Sequence, residues 1–424
     1  MGLTLKEHRD RLSLYLFYGL FFLLPLTVVF GHRGVAPWLL LASLPAFVRG
    51  DFWQMAFSGL LDGADWRSAR TRAFAALILF CLWVLVSGLW SPQHHYGLIG
   101  YVLAPALVSA SVIWFSLNAT RIWAYRLAFA FAISIGAGFG VLAFEGMSDG
   151  VLRAILPPAD QTPDRSDDII ALGRGVTALA PALFPAAIII AMLWGRIAAL
   201  ALVLLGVVAA LGNDVAANVV AIGGGLLVAI ICFKAPRRTQ KMMRIFFIGA
   251  LLLSPMFALL PVADVFAVFA ENAPAGAASS LHRLAIWQHV AAHLPDHMPF
   301  GAGADFSRSW KEAAPLIDVP GAPVALSTLP LHPHSAFLQI WLELGVPGVV
   351  LFAAFVWYGG RAVRRAIEPV PIIAALMGAA TAVLVSFATE TSLWQVWRLA
   401  AIGLAGMGLA LAYKLHAYGW RDAR

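Results

Sequence analysis

The chain has 424 residues, of which 61% are hydrophobic and only 12% are charged. A soluble domain carries about 25% charged residues, and one soluble core cannot hide so much apolar surface, so lipid must surround part of this protein. The net charge of +7 would suggest nucleic-acid binding in a soluble protein, but basic cytoplasmic loops account for it in a membrane protein. The two cysteines, Cys81 and Cys232, lie in apolar runs, which argues against a disulfide framework or a cysteine metal site.

Twelve apolar runs are long enough, or nearly long enough, to cross about 30 Å of hydrocarbon as helices. The first run is longer than the apolar part of a signal peptide and lacks a small-residue cleavage site, so we expect it to be retained. The pattern predicts an all-α, polytopic membrane protein. The runs lie at residues 12–31, 34–48, 73–91, 98–117, 124–145, 175–194, 197–212, 215–233, 245–262, 335–357, 372–389 and 395–413.

The basic residues predict the orientation of these spans. With the N-terminus in the cytoplasm, 21 of the 29 lysines and arginines fall in predicted cytoplasmic segments and 8 fall on the other side. This asymmetry is typical of cytoplasmic loops. It predicts that both termini are cytoplasmic, and it explains the positive charge without a nucleic-acid partner.

Two predicted outer segments, 146–172 and 263–334, are too long to be turns. The second contains SSLHRLAIWQHVAAHL (279–294), in which apolar residues recur at helical spacing. We expect Ser279 or Ser280 to cap this helix and Pro295 to end it, with the helix at the outer membrane boundary. The predicted organisation is therefore nine transmembrane helices in 1–262, a partly helical outer loop in 263–334, and three helices with a cytoplasmic tail in 335–424.

Nine of the eleven histidines fall on the predicted outer side, where they serve either chemistry or simple solvation. His289 and His293 are four residues apart in HVAAH, which places two imidazoles on one helix face. The stretch lacks the glutamate of the HExxH signature, and Pro295 breaks the helix before a third ligand. We therefore predict no metal site. The outer histidines are His32, His94, His95, His282, His289, His293, His297, His332 and His334.

His334 stands out by its position in LHPHSAFLQIWLELGVPG (331–348), directly before the tenth span. It is expected in the first turn or at the N-cap of that helix, where the positive helix end disfavours an imidazolium and lowers the pKa. A neutral imidazole is the form that a general base needs. The same position also suits an interfacial histidine that caps or anchors the helix, and the sequence leaves both interpretations open.

Three outer arginines, Arg174, Arg283 and Arg308, are candidates for binding phosphate because a guanidinium matches phosphate oxygens. The chain has no Walker or kinase loop, so these residues suggest a phosphate that is attached to a lipid. The alternative is that they extend toward the membrane interface, which fits Arg308 best. Arg174 and Arg283 are expected to lead helix starts, and GAGAD (301–305) is expected to be a flexible turn.

Three acidic residues lie at or near membrane depth, where ionisable groups are functional candidates. Asp214 lies between two closely linked spans, Glu343 lies in the tenth span about two turns after His334, and Glu390 begins the last outer loop. For Glu343 the alternative is that it bonds to neighbouring helices where Gly345 and Gly348 allow close approach, so that helix packing holds His334 in place.

HPHSAFLQIWLELGVPG resembles the signature of the O-antigen ligase and polymerase superfamily, a histidine followed after ten residues by a glycine, here His334 and Gly345. RLAIW (283–287) and PFGAGADFSR (299–308) resemble the arginine-bearing helix and glycine turn of that family's large periplasmic loop. The order of twelve spans, with the large loop between the ninth and tenth, is also similar. The resemblance implies a GT-C-like helical fold.

The resemblance implies an inverting, metal-independent glycosyltransferase without a cofactor, at the periplasmic face of the bacterial inner membrane. The donor would be a glycan on undecaprenyl diphosphate. A ligase would transfer it to lipid A–core, and a polymerase would transfer it to a second lipid-linked glycan. By motif position, His334 would be the general base and Arg283 would hold the diphosphate, with His332 as a second-choice base.

One feature departs from the family pattern. Many ligases carry an arginine in a Ser-Arg-Gly-like stretch after the seventh span, and this chain has Gly212-Asn213-Asp214 there. We hypothesise that Arg174, on the same outer surface, supplies the missing charge. The departure keeps a surface polysaccharide polymerase open as an alternative to a ligase. A lipid-linked glycan flippase, the alternative of another class, would need ionisable residues along a central path.

Overall fold

The computed structural model describes residues 5–47, 51–54, 66–93, 98–157, 166–213, 215–271, 273, 277–310, 314–390 and 392–419. These residues form a helical bundle with one two-stranded antiparallel sheet, β1 (Leu316–Ile317) and β2 (Leu326–Ser327). The α-helices are α1 (Leu5–Phe30), α2 (Val35–Phe47), α3 (Ala69–Ser87), α4 (Leu98–Leu117), α5 (Arg121–Met147), α6 (Val151–Ile155), α7 (Ser166–Trp194), α8 (Arg196–Gly212), α9 (Ala216–Lys234), α10 (Pro236–Leu253), α11 (Val262–Phe269), α12 (Ala277–Ala292), α13 (Ser307–Trp310), α14 (Ala336–Gln339), α15 (Gly345–Ala366), α16 (Val370–Thr389) and α17 (Val396–Ala417).

Each of the twelve predicted spans coincides with a helix. Within the described part of the chain, nine helical segments are long and apolar enough to cross a membrane, and α4 and α8 add two shorter apolar helices. The thirteen residues of α2 correspond to the remaining prediction. The all-α, polytopic fold is therefore confirmed.

The largest apolar core lies where α1, α5, α7 and α17 meet. Leu24, Phe131, Leu179 and Leu404, one from each of these helices, are all fully buried in it. Large apolar side chains also cover the outside of the bundle, including Leu200 on α8. An outward-facing apolar surface is what a lipid environment requires.

The first long outer segment is more helical than we predicted. Helix α5 continues to Met147, and α7 begins at Ser166 rather than near residue 175. The apolar pattern marks only the membrane-spanning part of α7, whereas the helix extends several residues beyond it. Arg174 consequently lies in the third turn of α7, and the prediction that it leads a helix start is wrong.

The predicted helix of the second outer loop is present as α12, but its start differs. The helix begins at Ala277, so Ser279 and Ser280 lie inside it and neither is its cap. Two alanines with high helix propensity precede the serines and extend the helix toward the N-terminus. Arg283 is therefore in the second turn. The helix ends at Ala292, before Pro295, as predicted.

Helix α12 packs on protein at the start of the tenth span. Ile286 and Val290 of α12 share a buried apolar cluster with Leu338 and Leu342. The indole of Trp341 also donates a hydrogen bond to the carbonyl of Leu251, at the end of α10 (2.8 Å). The outer loop is thus fixed to the membrane helices that follow it. The domain boundaries at residues 262 and 334 stay predictions.

The tenth span contains a widened turn between α14 and α15. Residues Ile340–Leu344 form a π-helix, and Gly345 follows with φ of 60°. The glycine turn at 301–305 lies against this segment: Ala302 N–H donates to Leu342 O (2.8 Å) and Gly303 N–H donates to Glu343 O (3.0 Å). The GAGAD turn is therefore held by backbone hydrogen bonds, and the expectation of a flexible turn is wrong.

Gly345 makes this contact possible. A Cβ at Gly345 would overlap the carbonyl oxygen of Pro299 and would lie 2.5 Å from Gly301 N. The left-handed backbone costs a non-glycine residue about 1–2 kcal/mol in addition. We therefore predict that Gly345→Ala lowers the apparent melting temperature of the purified protein, as measured by thermal unfolding in detergent.

Gly249→Ala is the matched control, because a Cβ at Gly249 in α10 meets nothing within 4 Å. Alanine in a helix is favoured over glycine by about 1 kcal/mol, so this variant should be as stable as the wild type or slightly more so. Equal melting temperatures for Gly345→Ala and the wild type would contradict the prediction.

Candidate active site

Two histidines of the HPHS stretch lie against each other at the outer end of the bundle. The rings of His332 and His334 have centroids 4.3 Å apart. The backbone N–H of His334 donates to Nδ1 of His332 (3.1 Å), and His334 adopts a left-handed φ of 52°. The short bond between the two residues thus holds His334 in a backbone conformation that non-glycine residues rarely adopt.

Ser335, rather than His334, is the N-cap of α14. Its hydroxyl accepts a hydrogen bond from Leu338 N (3.5 Å), and its backbone is extended. His334 precedes the cap, so its placement in the first turn or at the N-cap is wrong by one residue. The side chain of His334 is therefore available outside the helix while its backbone stays fixed by the helix start.

The pKa of His334 lies well below its ordinary value, as the sequence predicted, but for other reasons. Burial is the main cause, followed by unfavourable electrostatic interactions of the imidazolium with His332, Arg283, His282 and Arg398. Burial disfavours the charged imidazolium, and neighbouring cations disfavour it further. His334 is consequently neutral at physiological pH.

The electrostatic field at His332 is positive. Burial, together with the charges of Arg398, Arg308, Arg174 and Arg283, lowers the pKa of His332 to about 3. All three arginines that the sequence analysis proposed for phosphate binding therefore lower the pKa of the same histidine. The structure adds Arg398 as a fourth.

Arg398 is the functional candidate that sequence reasoning missed. It is 8% exposed, and it donates from Nε to Gln395 Oε1 (2.6 Å) and from Nη1 to Ser386 Oγ (2.7 Å). Its Nη1 also lies 3.4 Å from Glu390 Oε2. No acceptor in the described part of the chain bonds to Nη2. The sequence places Arg398 on the outer side, but no motif surrounds it there.

Gln395 connects Arg398 to the histidines. Its Oε1 accepts from Arg398, and its side-chain nitrogen lies 3.4 Å from Nε2 of His332. Arg398 also lies over the ring of Trp397, with the guanidinium carbon 4.5 Å from the ring centroid. The start of α17 thus holds a buried cation next to the histidine pair.

Glu390 is tied to two further helices through Thr177. The Thr177 hydroxyl on α7 lies 2.9 Å from Asn218 Oδ1 on α9 and 3.4 Å from Glu390 Oε2. Asn218 donates from its amide to the carbonyl of Gly173 (2.8 Å). This network fixes the carboxylate of Glu390, which partly balances Arg398.

The other candidates of the sequence analysis have distinct positions. Arg308 donates from Nε to Asp305 Oδ1 (2.9 Å) and is about half exposed, so a carboxylate already offsets its charge. Arg174 is exposed on α7.

Asp214 lies outside the described residues. Its neighbour Asn213 is buried and donates to the carbonyls of Leu142 (3.0 Å) and Ala209 (2.7 Å), which is a structural role.

Glu343 is fully buried and accepts hydrogen bonds from five donors. Its role is therefore to tie the glycine turn and the last outer loop to the tenth span. The close approach of the glycine turn at Gly345 accompanies these bonds, which agrees with the bonding alternative of the sequence analysis. The donors are Asp305 N (2.8 Å), Ser307 N (3.3 Å), Ser307 Oγ (2.6 Å), Gln339 Nε2 (3.0 Å) and Trp394 Nε1 (2.7 Å).

The HVAAH histidines belong to an aromatic cluster. The rings of His289 and His293 are 4.4 Å apart, and both pack on Trp310. Nδ1 of His293 lies 2.8 Å from the carbonyl of His289, so this nitrogen is already bonded. No group of three metal-binding side chains occurs among the residues that the structure describes.

An apolar cavity of about 580 Å³ lies among the helices near the site. Its lining includes Phe80, Phe352 and Phe387 and ends at Leu393 and Trp394. A small pocket beside Arg398 shares the walls Val383, Phe387 and Ile402 with this cavity. A long apolar chain in the cavity would therefore have its head group near Arg398.

Residues 200–353 match the O-Antigen ligase family. The matched segment, about a third of the chain, is similar to that family. It includes α12, the histidine pair, Glu343 and Gly345. Arg174, Glu390 and Arg398 lie outside it.

Three relatives carry the provisional name of polysaccharide ligase. They come from Rickettsia conorii, Rickettsia typhi and Rickettsia prowazekii, and they are 40%, 41% and 40% identical to the chain over 80 residues. The match covers 19% of this chain and 19% of each relative.

Glu343→Gln tests the buried carboxyl group of the matched segment. The substitution keeps the shape but replaces one acceptor oxygen with a donor, so at least one buried donor loses its partner, which costs about 1–3 kcal/mol. We predict a lower apparent melting temperature and a glycine turn that is cut more readily in limited proteolysis. Glu368→Gln, at an exposed site, should change neither property. A stable, resistant Glu343→Gln variant would be inconsistent with the anchoring role.

The buried histidines predict acid sensitivity. Burial and the charges of Arg174, Arg33 and other arginines lower the pKa of His32 to about 3. Below pH 6.5 the His32 side chain binds a proton in the unfolded chain but not in the folded protein. The free energy of unfolding therefore falls as the pH drops from about 6.5 toward 3. For a fully buried group the slope is at most about 1.4 kcal/mol per pH unit.

We therefore expect His32→Gln to show a shallower loss of stability than the wild type between pH 7 and pH 4, measured by chemical or thermal unfolding. His416→Gln, at an exposed position, should keep the wild-type slope. Identical slopes for the wild type and His32→Gln would refute the assignment.

Proposed function

We propose that this protein transfers a glycan from undecaprenyl diphosphate to an acceptor hydroxyl at the outer face of the membrane, as an O-antigen ligase. The observation that carries the proposal is the juxtaposition of a neutral His334 with a positive field from four arginines. A neutral base and an anion-binding surface are the two features that this transfer needs. The family match supports the ligase class.

In the proposed reaction His334 accepts the proton of the acceptor hydroxyl. The hydroxyl oxygen attacks the anomeric carbon of the donor sugar, and the bond from that carbon to the diphosphate oxygen breaks. Attack from the face opposite the leaving group inverts the anomeric configuration. The electron pair leaves with the diphosphate, and the proton passes from His334 to solvent after transfer.

The bound donor would strengthen the base. The positive charges that depress the pKa of His334 include Arg283 and Arg398. A diphosphate beside these arginines offsets their field, and the pKa of His334 rises toward its ordinary value. The histidine would thus become an effective base when the donor is present.

The four arginines would each contribute to binding of the diphosphate. Arg283 lies on α12, Arg174 on α7 and Arg398 on α17. Arg398 acts on both histidines, so we assign it together with Arg174 to the role of the arginine that is missing near Asp214. Arg308, already paired with Asp305, is the weakest of the four as a phosphate ligand.

The apolar cavity would hold part of the undecaprenyl chain. Its lining is almost entirely apolar. Its outer end lies at Leu393 and Trp394, which directly precede Gln395 in the chain. This placement positions the head group of a lipid donor next to Arg398. A transporter would instead need a polar path through the bundle, and the wall of this cavity offers none.

The acceptor distinguishes two members of the same class. Lipid A–core as acceptor corresponds to a ligase, and a second lipid-linked glycan corresponds to a polymerase. We favour the ligase because both the matched family and the Rickettsia relatives carry that name. The basic residues support a bacterial inner-membrane protein with cytoplasmic termini and a periplasmic site.

Reconstitution with purified lipid-linked glycan tests the proposal. We expect transfer to lipid A–core, and His334→Ala should lower its rate by about 10²-fold or more, since a general base contributes about 10²–10⁴-fold. Arg283→Ala and Arg398→Met should weaken binding of the diphosphate lipid. His416→Ala and Arg33→Met, both at exposed positions, are the controls.

Transfer to a second lipid-linked glycan instead of lipid A–core would make the protein a polymerase. Movement of the lipid across the bilayer without any transfer would point to a flippase. Full activity of His334→Ala at equal protein levels would remove the assignment of the base.

A further inference from the structure

A second polar cluster lies at the other end of the bundle, where α10 begins. Gln240 and Arg244 of this helix are only 4% and 7% exposed. The neighbouring Arg237 and Arg238 are exposed on the same helix. The helix therefore directs two of its polar side chains into the protein, although solvent or lipid head groups would be available outside.

Both buried side chains have an unused donor. Gln240 Nε2 and Arg244 Nη1 are inaccessible and have no hydrogen-bond partner. The two residues line one cavity of about 160 Å³. An orphan buried donor costs about 1–3 kcal/mol, and more when it is charged, so two of them facing the same space indicate that an acceptor occupies it.

The position of Arg244 is specifically accommodated. A Cβ at Gly360 of α15 would overlap the Arg244 side chain, so the glycine leaves the space that Arg244 fills. The guanidinium carbon lies 5.1 Å from the ring centroid of Trp357. The only bond that Arg244 makes among the described residues runs from Nε to Gln240 O, at 3.4 Å.

The charges around Arg244 are of the same sign. Arg361 and Arg364 are the charged groups that act on it. No described carboxylate forms an ion pair with Arg244. A buried cation without a counter-charge is strongly destabilising, so the occupant of the cavity should be an anion.

The rest of the cavity is apolar. Met243, Phe247, Val356, Leu376, Met377 and Ala380 lie along it, and Phe247 and Val356 also line the large apolar cavity described above. The polar end lies near basic residues of α10 and α15, which is the level expected for lipid head groups on the cytoplasmic side. A volume of about 160 Å³ is roughly five water volumes, which is enough for a phosphate group.

We propose that Gln240 and Arg244 bind the phosphate of an anionic phospholipid whose acyl chain follows the apolar wall toward Phe247 and Val356. The bound phosphate accepts hydrogen bonds from Gln240 Nε2 and Arg244 Nη1 and neutralises the buried guanidinium. The lipid is a resident ligand at the base of α10, α15 and α16. The phosphate-binding groups are separate from the proposed site of glycan transfer, because Gln240 and Arg244 lie at the start of α10 and the histidine pair lies at the other end of the bundle, although the two apolar cavities share Phe247 and Val356.

The test uses the full-length protein in nanodiscs of phosphatidylcholine with or without phosphatidylglycerol, followed by native mass spectrometry of the released complex. The wild type should retain phosphatidylglycerol. Arg244→Met and Gln240→Leu should each reduce retention by about tenfold or more, because a hydrogen bond to a charged group contributes about 1.5–3 kcal/mol. Arg238→Met is the matched control and should retain the lipid like the wild type.

Further measurements identify the source of the phosphate and distinguish loss of lipid binding from loss of folding. Inorganic phosphate alone should not raise the melting temperature of the delipidated protein as much as phosphatidylglycerol does. Arg244→Lys should fold and retain a reduced amount of lipid. His334→Ala should retain as much lipid as the wild type, which separates this site from the proposed function.

Two outcomes would overturn the proposal. Equal retention by Arg244→Met, Gln240→Leu and Arg238→Met would show that the lipid does not use this site. Stabilisation by inorganic phosphate, lost in Arg244→Met and without lipid retention in the wild type, would assign the cavity to free phosphate.

Discussion

The buried carboxylate of Glu343 determines how the outer half of the molecule is assembled. It accepts hydrogen bonds from the turn that contains Asp305 and Ser307, from Gln339 one turn earlier, and from Trp394 in the last outer loop. Gln339 in turn accepts from Leu393 N (2.9 Å). Three segments that are distant in sequence thus meet at one buried carboxyl group. A buried acceptor group with five donors tolerates little rearrangement, because each lost bond leaves a buried polar atom without a partner.

The histidine pair depends on this assembly from both sides. His334 stands immediately before the helix that carries Glu343, and Gln395 and Arg398 follow directly after the loop that Glu343 holds through Trp394. The polar groups next to His332 are therefore set by the same interaction that fixes the glycine turn. The α12 helix, which carries Arg283, reaches the same place through apolar contacts with Leu338 and Leu342. Rigid packing places the positive charges, and solvent exclusion keeps the histidines neutral.

The sequence predicted the parts of this structure that follow from local chemistry. Apolar runs identified each membrane helix, and HPHS before such a run identified the histidines. Arg398 was not identified because its importance arises from neighbours on three other segments, and a single sequence does not report such pairings. The helix start at Ala277 and the extension of α7 were misjudged because apolar periodicity marks the buried or lipid-facing face of a helix and not its ends. The role of Glu343 could not be read from spacing, since its donors lie 4, 36, 38 and 51 residues away.

The π-helix at Ile340–Leu344 has a consequence for how this segment tolerates change in length. A π turn holds one more residue than an α turn, so the side chains before and after it are offset by about 100° relative to a regular helix. The face that carries Leu338 can therefore match the outer loop while the face of α15 independently matches the neighbouring membrane helices. Deleting one residue within the π turn would restore a regular helix and bring the two faces into conflict, whereas the same deletion within α15 would disturb only membrane packing. The π turn thus rotates the side chains that follow it relative to those that precede it, so that each part of the span can face its own packing surface.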